Sequence, residues 1–245
     1  MIKVGINGFG RIGRSIFRIN LEKKEFDIKL INDIDPDLNN HSYLLEFDCT
    51  YGRLEKSDIK TEGSSMFTSG GKTVFTAFDS IDLVPWEKYD VDLIIDATGI
   101  EKNVQKGSQI LDSKKVKKII YTFCPKTKID GTFLYGVNFD SYNYKVHNLL
   151  SSSICDTNAV APFLKLIDDA FGIELGEITT LHPWLGYQNL LDGTISSVSN
   201  PGHFWTDYAL GRSSLNNLIP KETRLMESLD EVIPMVSKKI HASSF

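Results

Sequence analysis

Ile2-Lys3-Val4-Gly5-Ile6-Asn7-Gly8-Phe9-Gly10-Arg11-Ile12-Gly13-Arg14 is the stretch that decides the fold. Ile2 to Asn7 reads as a short buried strand. Beyond the glycine turn, Ile12, Ile16, Phe17 and Ile19 fall near helical spacing, which predicts a helix with an apolar face. A second strand is expected over Ile28–Asp33. Gly8, Gly10 and Gly13 form a G-x-G-x-x-G pattern, which gives a tight turn, close backbone approach to a pyrophosphate, and close helix–strand packing. The helix that follows offers free amides and the positive end of its dipole to phosphates. Such glycines often do nothing but turn a chain. Here they follow a strand, open a helix, and precede a carboxylate, Asp33, twenty residues beyond Gly13. Asp33 is placed to bind the ribose hydroxyls of an adenosine and to repel a 2′-phosphate, so NAD is expected in preference to NADP.

The pattern stays α/β over the rest of the first half. Lys72–Phe78 and Lys117–Thr122 read as strands, Val91–Gly99 as a buried strand ending in a small polar turn, and residues 101–113 as a helix. Ligands of an open parallel sheet bind beyond the carboxyl ends of its strands. Asp33, Thr98-Gly99 and Thr122 all sit at such ends, so one crevice is expected to collect them. Thr98-Gly99 also reads as a plain turn. Asn, Tyr and Ser crowd together near residues 138–153, and the domain boundary is placed there: 1–152 for nucleotide binding, 153–245 for catalysis.

Length and composition agree with two domains. The chain has 245 residues, 41% hydrophobic, 24% charged and 11% aromatic, which excludes a disordered chain and a disulfide miniprotein. A formal charge of −5 argues against a nucleic-acid partner, and Lys114, Lys115, Lys117 and Lys118 read as a solvated helix end. No apolar run is long enough for a membrane span, and the start lacks a signal peptide, so a cytoplasmic setting is expected. Cys49, Cys124 and Cys155 are widely spaced, which suggests neither a disulfide framework nor a zinc site; no metal is expected.

Ser151-Ser152-Ser153-Ile154-Cys155-Asp156-Thr157-Asn158 precedes a helix expected over Ala159–Phe171 and closed by Gly172. Cys155 is therefore at or beside a helix N-terminus, where dipole and amides favour a thiolate. Ile178–His182 reads as a strand ending in histidine, and His182 is the partner available to take the thiol proton. Cys124 reads as a buried small hydrophobe, and His41, His147, His203 and His241 as structural. Together, a cysteine, a histidine and an NAD crevice suggest that a thiolate adds to an aldehyde. Hydride then leaves for the nicotinamide, and a thioester remains for phosphate or water.

With these segments in view, the sequence resembles glyceraldehyde-3-phosphate dehydrogenase. The resemblance is carried by Val4–Arg14, Tyr43–Arg53, Pro85-Trp86 with Asp96–Gly99, Cys155–Asn158 with Ala161-Pro162, Thr179–His182 with Gln188, and Gly211-Arg212 through Asn217–Pro220. It implies an N-terminal Rossmann-type, doubly wound NAD-binding domain and an α+β catalytic domain, incomplete at its C-terminus. By resemblance Cys155 is the nucleophile and His182 its base. Asn7, Gly8, Gly10, Arg11, Ile12, Asp33, Thr98, Gly99 and Thr122 serve the cofactor; Arg212, Thr223 and Arg224 serve the substrate. A small aldehyde substrate, plain or phosphorylated, and a homotetramer are implied as well.

The departures fall on the anion side. Ile154 and Asp156 flank the cysteine where the family has small hydroxyl residues, and Asp156 is expected to repel phosphate and to make the thiolate harder to form. Leu185 and Tyr187 stand where threonines bind the substrate phosphate, Leu210 replaces an arginine, and Thr223-Arg224 replaces a small pair. The stretch between Gly193 and Gly211, with Pro201-Gly202-His203-Phe204-Trp205 inside it, is longer than usual. Three readings follow: phosphate-dependent aldehyde oxidation, the same chemistry released by water, and a catalytically weak NAD-binding module. The chain also stops in Ser244-Phe245 where the resemblance implies a continuing strand, so a fragment is expected, with a naturally short relative as the alternative.

Overall fold

The computed structural model describes residues 1–54, 59–113, 115–186, 188–194 and 207–245. Lys114, Tyr187, His203 and the stretch 201–205 lie outside them. The chain divides into two compact units. One comprises Met1–Phe133 and Ser141–Ser152, the other Leu134–Asp140 and Ser153–Phe245. The sequence places a single cut after residue 152; the units differ from that by the short segment Leu134–Asp140.

The first unit is a nine-stranded sheet with helices between its parallel strands. In chain order its elements are β1 (Lys3–Asn7), α1 (Arg11–Lys23), β2 (Asp27–Asn32), α2 (Leu38–Glu46), β3 (Lys60–Glu62), β4 (Ser65–Thr68), β5 (Gly71–Thr76), β6 (Leu93–Asp96), α3 (Glu101–Gln105), α4 (Gly107–Ser113), β7 (Lys118–Tyr121), β8 (Gly131–Thr132) and β9 (Leu149–Ser151). The strand order is β8-β9-β7-β6-β1-β2-β5-β4-β3. Pairing is parallel from β8 to β5, and only the β5-β4-β3 edge is antiparallel. The order runs outward in both directions from β1, so the carboxyl ends of β1 and β6 flank a topological switch point.

Successive side chains of a strand point to opposite faces, and the apolar runs feed two cores accordingly. Leu30, Ile94 and Ile119 pack with Ile81, Val84, Trp86, Val104 and Ile110. Ile31 and Ile95 pack on the other side with Val4, Ile6, Phe9, Phe17 and Phe75. Each such side chain contributes roughly 1.5–3 kcal/mol by leaving water.

Two local expectations change. The buried stripe of α1 is Gly13, Phe17 and Asn20, whereas Ile12 and Ile19 are 51% and 55% exposed. Gly13 sets that rotation: a β-carbon there would stand 2.2 Å from the Gly8 carbonyl oxygen, so the helix packs by this edge onto the turn. The helix expected over 101–113 is two, α3 and α4, parted at Lys106, whose ammonium is tied to Asp82 at 2.6 Å.

The second unit is α+β. Helix α5 (Cys155–Phe171) leads to β10 (Gly176–Thr180); α6 (Leu225–Val232) and α7 (Pro234–Ser237) lead to β11 (Ile240–Ser244). β10 and β11 pair in parallel, from Gly176 with Ile240 to Thr180 with Ser244. Ala161, Leu164, Leu225, Leu229, Val232, Val236 and Leu134 form its core. Helix α5 begins earlier than expected, at Cys155. Its N-cap, Ile154, is extended and offers no side-chain cap; instead Asn158 Nδ2 donates back to the Ile154 carbonyl at 2.8 Å. Among the described residues no helix is long and apolar enough to cross a membrane.

At the end of β6 the buried Asp96 carboxylate accepts from Asn7 Nδ2 (3.1 Å) and Asn103 Nδ2 (2.9 Å) on one oxygen, and from the Thr98 amide (2.9 Å) and hydroxyl on the other. Asp96→Asn keeps the shape but turns an NH2 towards two donors whichever way the amide lies. It should lower stability by about 2–4 kcal/mol in a denaturant titration, from donors left unpaired. A more stable variant would show that relief of the buried charge outweighs the four hydrogen bonds.

Candidate active site and nucleotide-binding turn

The nucleotide turn is shaped by what its glycines leave out. Gly8 has φ of +89°, and a β-carbon there would meet Thr98 Cγ2 at 2.8 Å, so the β1 turn and the Thr98-Gly99 turn approach as only glycine allows. Gly10, the N-cap of α1, makes no side-chain cap, and nothing lies within 4 Å of where its β-carbon would be. Open space therefore stands over a helix start whose amides no side chain has claimed, as a pyrophosphate requires. Arg11 and Ile12 project beside it, Arg11 donating to Thr50 Oγ1 at 3.1 Å.

Asp33 follows the last residue of β2. Its carboxylate accepts from the Phe9 amide at 2.6 Å and the Asp35 amide at 3.1 Å, with His41 Nε2 at 3.9 Å. Each carboxylate oxygen keeps a second lone pair, so ribose hydroxyls can still be accepted. Asn7 and Asn32 lock the neighbouring strand ends together at 2.9 Å. Thr122 follows β7, its amide donating to the Asp96 carbonyl at 3.0 Å. The residues assigned to the cofactor thus line the carboxyl ends of adjacent strands and fit a dinucleotide. Asp96 and Asn103, which brace the Thr98-Gly99 turn, carry no local signal in the sequence, because Asp96 meets its partner Asn7 from 89 positions away.

In the second unit three groups converge. His182, just past β10, places Nε2 3.0 Å from Asp156 Oδ1. Cys155, the first residue of α5, donates its S–H to the same oxygen at 3.6 Å. Asp156 is buried, Cys155 exposed, and the ligating atoms of all three lie within 4.8 Å of one another. Asp156 Oδ2 accepts from Thr223 Oγ1 at 3.2 Å, and Thr223 in turn accepts the Leu225 amide at 3.1 Å. Below them Thr157 Oγ1 donates to Ser228 Oγ at 2.8 Å, and Ser228 also meets Ser153, which has φ of +65°. This buried hydroxyl cluster braces the loop leading into the cysteine, and it joins residues too far apart in the chain to leave a sequence signal.

The expected lowering of the thiol pKa by the helix terminus is not what the site delivers. Burial around the sulfur pushes the Cys155 thiol above its ordinary value. The Asp156 carboxylate adds to this by its charge and by accepting the S–H, and only the Asp156 amide and Lys221 pull the other way. The like-charge effect expected of Asp156 is therefore present, and it joins burial in outweighing the amide contribution. Cys124 is 3% exposed and belongs to the core.

Of the three residues assigned to the substrate, Thr223 reaches the cluster. Arg212 faces Asp192 at 3.3 Å and Arg224 faces Glu227 at 2.6 Å. Ile154 is half-buried as the N-cap, Leu185 donates its amide to Gln188 at 2.8 Å, and Leu210 is buried. A cavity of about 370 Å³ opens beside His182, lined by Trp184, Gln188, Ser214, Asn216 and Phe245 among others, with no Lys or Arg among the described residues of its lining.

Comparison with known proteins gives this arrangement its family. Residues 2–104 match the glyceraldehyde 3-phosphate dehydrogenase NAD binding domain, and residues 154–245 match the C-terminal domain of the same enzyme. A glyceraldehyde-3-phosphate dehydrogenase 1 from Kluyveromyces marxianus is 35% identical over 246 residues, covering 100% of this chain and 70% of its own length. A glyceraldehyde-3-phosphate dehydrogenase 2 from Nostoc is 36% identical over 98% of this chain and 68% of its own. One from Bacillus subtilis is 31% identical over 99% of this chain and 68% of its own. With its α/β Rossmann-type sheet and its NAD-binding domain, the chain belongs to the glyceraldehyde-3-phosphate dehydrogenase family, as an NAD-dependent oxidoreductase.

Proposed function

We propose that this protein oxidises a small aldehyde, glyceraldehyde 3-phosphate or a relative of it, with Cys155 as the nucleophile. The observation that carries the reading is the convergence of an exposed cysteine at the start of α5 with Asp156 and His182. NAD, when bound, supplies the hydride acceptor. Its holders are Asn7, Gly8, Gly10, Arg11 and Ile12 at the pyrophosphate turn, Asp33 at the ribose, and Thr98, Gly99 and Thr122 along the strand ends.

The chain's own part begins with the Cys155 proton. Asp156 Oδ1 receives the S–H and faces His182 Nε2, so the proton passes by way of the carboxylate towards the imidazole. The freed sulfur adds to the aldehyde carbon, and the proton returns to the carbonyl oxygen, giving a thiohemiacetal on Cys155. Loss of hydride from that carbon, with the hydroxyl proton passing to the Asp156–His182 pair, leaves a thioester. Phosphate or water then attacks, the C–S bond breaks, and Cys155 recovers its proton. Thr223 holds Asp156 in place from its far oxygen. The Arg212–Asp192 pair is 62% and 58% exposed on its side chains. Exposed pairs contribute at most about 1 kcal/mol, so an anionic substrate can draw Arg212 away. Arg224 stands in the same relation to Glu227, whose side chain is 65% exposed.

A second reading rests on Asp156 itself. A carboxylate that holds the thiol protonated suits a slow enzyme or an NAD-binding module with little turnover, and water as acceptor in place of phosphate. Under the principal reading the protein works in the cytoplasm, where a thiol such as Cys155 stays reduced, and as a homo-oligomer like its family.

Four measurements test these readings. With NAD and a panel of phosphorylated and plain aldehydes, NADH production should appear and should need phosphate; production independent of phosphate favours water, and none at all favours the module. Cys155→Ser should abolish turnover, and activity surviving in that variant overturns the mechanism. Asp156→Thr should raise the alkylation rate of Cys155 by iodoacetamide at neutral pH about tenfold, because the charge and the S–H acceptor that hold the thiol up are both removed; an unchanged rate would show that burial alone holds the thiol. Gly10→Glu fits the open space above the turn, so the fold should persist while NAD affinity falls at least about tenfold, a carboxylate standing where the pyrophosphate belongs. Unchanged affinity would remove the pyrophosphate from that turn.

A further inference from the structure

The geometry points to a three-ligand site for a borderline-soft divalent cation of the zinc class, formed by Cys155 Sγ, Asp156 Oδ1 and His182 Nε2. A thiolate, a carboxylate and an imidazole are each ordinary zinc ligands, and three protein ligands with a fourth position open is a common catalytic or exchangeable coordination. In a tetrahedral site with the usual bond lengths, pairs of nitrogen and oxygen ligands stand about 3.3 Å apart, and sulfur stands about 3.5 Å from either. Asp156 Oδ1 lies 3.0 Å from His182 Nε2 and 3.6 Å from Cys155 Sγ, so two edges of that tetrahedron exist already. The remaining edge, sulfur to nitrogen, is no longer than 4.8 Å and closes by at most about 1.3 Å, within reach of an exposed cysteine side chain.

Charge and support agree with the geometry. Thiolate and carboxylate together neutralise a divalent cation, leaving His182 to bind as neutral imidazole. Binding therefore costs the single proton of the Cys155 thiol, which is released to solvent. Thr223 Oγ1 fixes the second oxygen of Asp156, which keeps Oδ1 aimed at the other two groups, as outer-shell partners of metal ligands do. Cys155 is exposed, so the ion has an entry path and the fourth position faces water. Lys221 is near enough to act on Cys155 and opposes the cation, one positive charge against two ligand negatives. The sequence spacing excludes a conventional zinc motif; the third ligand arrives because β10 delivers His182 to the start of α5. Metal on Cys155 occupies the sulfur lone pair that would attack an aldehyde, so the same ion is a reversible block on the reaction proposed above. The site itself does not depend on that reaction.

The test uses the full chain, reduced and stripped with a chelator, without aldehyde or NAD. Zinc titrated in competition with a chromophoric chelator should bind at one equivalent, and cobalt(II) should give a thiolate-to-metal charge-transfer band in the near ultraviolet. Cys155→Ser, an exposed and nearly isosteric change, should remove the band and weaken zinc at least about 100-fold with unchanged circular dichroism. Thr223→Val should weaken it about tenfold through Asp156. Zinc should also protect Cys155 of the unaltered protein from iodoacetamide. Absence of one-equivalent binding, a band or affinity that survives Cys155→Ser, or no protection from alkylation overturns the site. Aldehyde oxidation without zinc binding refutes this inference alone, and zinc binding without oxidation refutes the proposed activity alone.

Discussion

The first unit is organised around a buried charge that has nowhere else to go. Asp96 ends β6 beside Asn7 at the end of β1, the pair of strands from which the sheet order runs outward in both directions. Burial raises the pKa of its carboxyl, while Thr98, Asn7 and Asn103 each donate to it and pull the other way. Four donors aimed at one carboxylate are the geometry of an ionised group. By accepting them Asp96 fastens the Thr98-Gly99 turn, the β1 end and α3 at a single point. The glycine turn then has a fixed wall to approach, and Gly8 is glycine because that wall is 2.8 Å from its missing β-carbon.

The second unit repeats the motif with different consequences. Asp156 is again a buried carboxylate shared by several partners: Cys155, His182 and Thr223. Here one partner is a weak acid that must lose its proton to act. The backbone amide beside Cys155 favours the thiolate, as a helix start should, yet one neighbouring negative charge and the loss of water around the sulfur outweigh it. A histidine that would otherwise face the thiol directly faces the carboxylate instead. Capacity for proton transfer is kept, but it is routed through a third group.

Legibility followed the range of the interactions. The β1–α1–β2 unit is local, its signals are periodicity and three glycines, and its elements lie within a residue or two of their expected ends. The rotation of α1 is not legible because hydrophobic spacing cannot register how closely Gly13 packs on Gly8; Ile12 and Ile19 look like core and are surface. The Lys106–Asp82 pair at the break of 101–113 joins residues 24 positions apart. The cluster at Cys155 was half legible. Its cysteine and histidine carry chemical signatures, while the Thr223 contact and the Ser153–Thr157–Ser228 hydroxyls join residues up to 75 positions apart and leave no pattern in the chain.

A single substitution explains why this site reads in two ways. With a small hydroxyl residue beside the cysteine, the sulfur and imidazole would be two groups, enough for proton transfer and too few for a firm metal site. The carboxylate of Asp156 supplies the third ligand and the second negative charge in one step. The same charge that makes a free thiolate costly makes a cation-bound thiolate neutral overall, so what disfavours the nucleophile favours the metal complex. Removing it should move both properties in opposite directions, towards a more reactive cysteine and a weaker cation site. Variants at any residue that merely supports the local fold would move the two together.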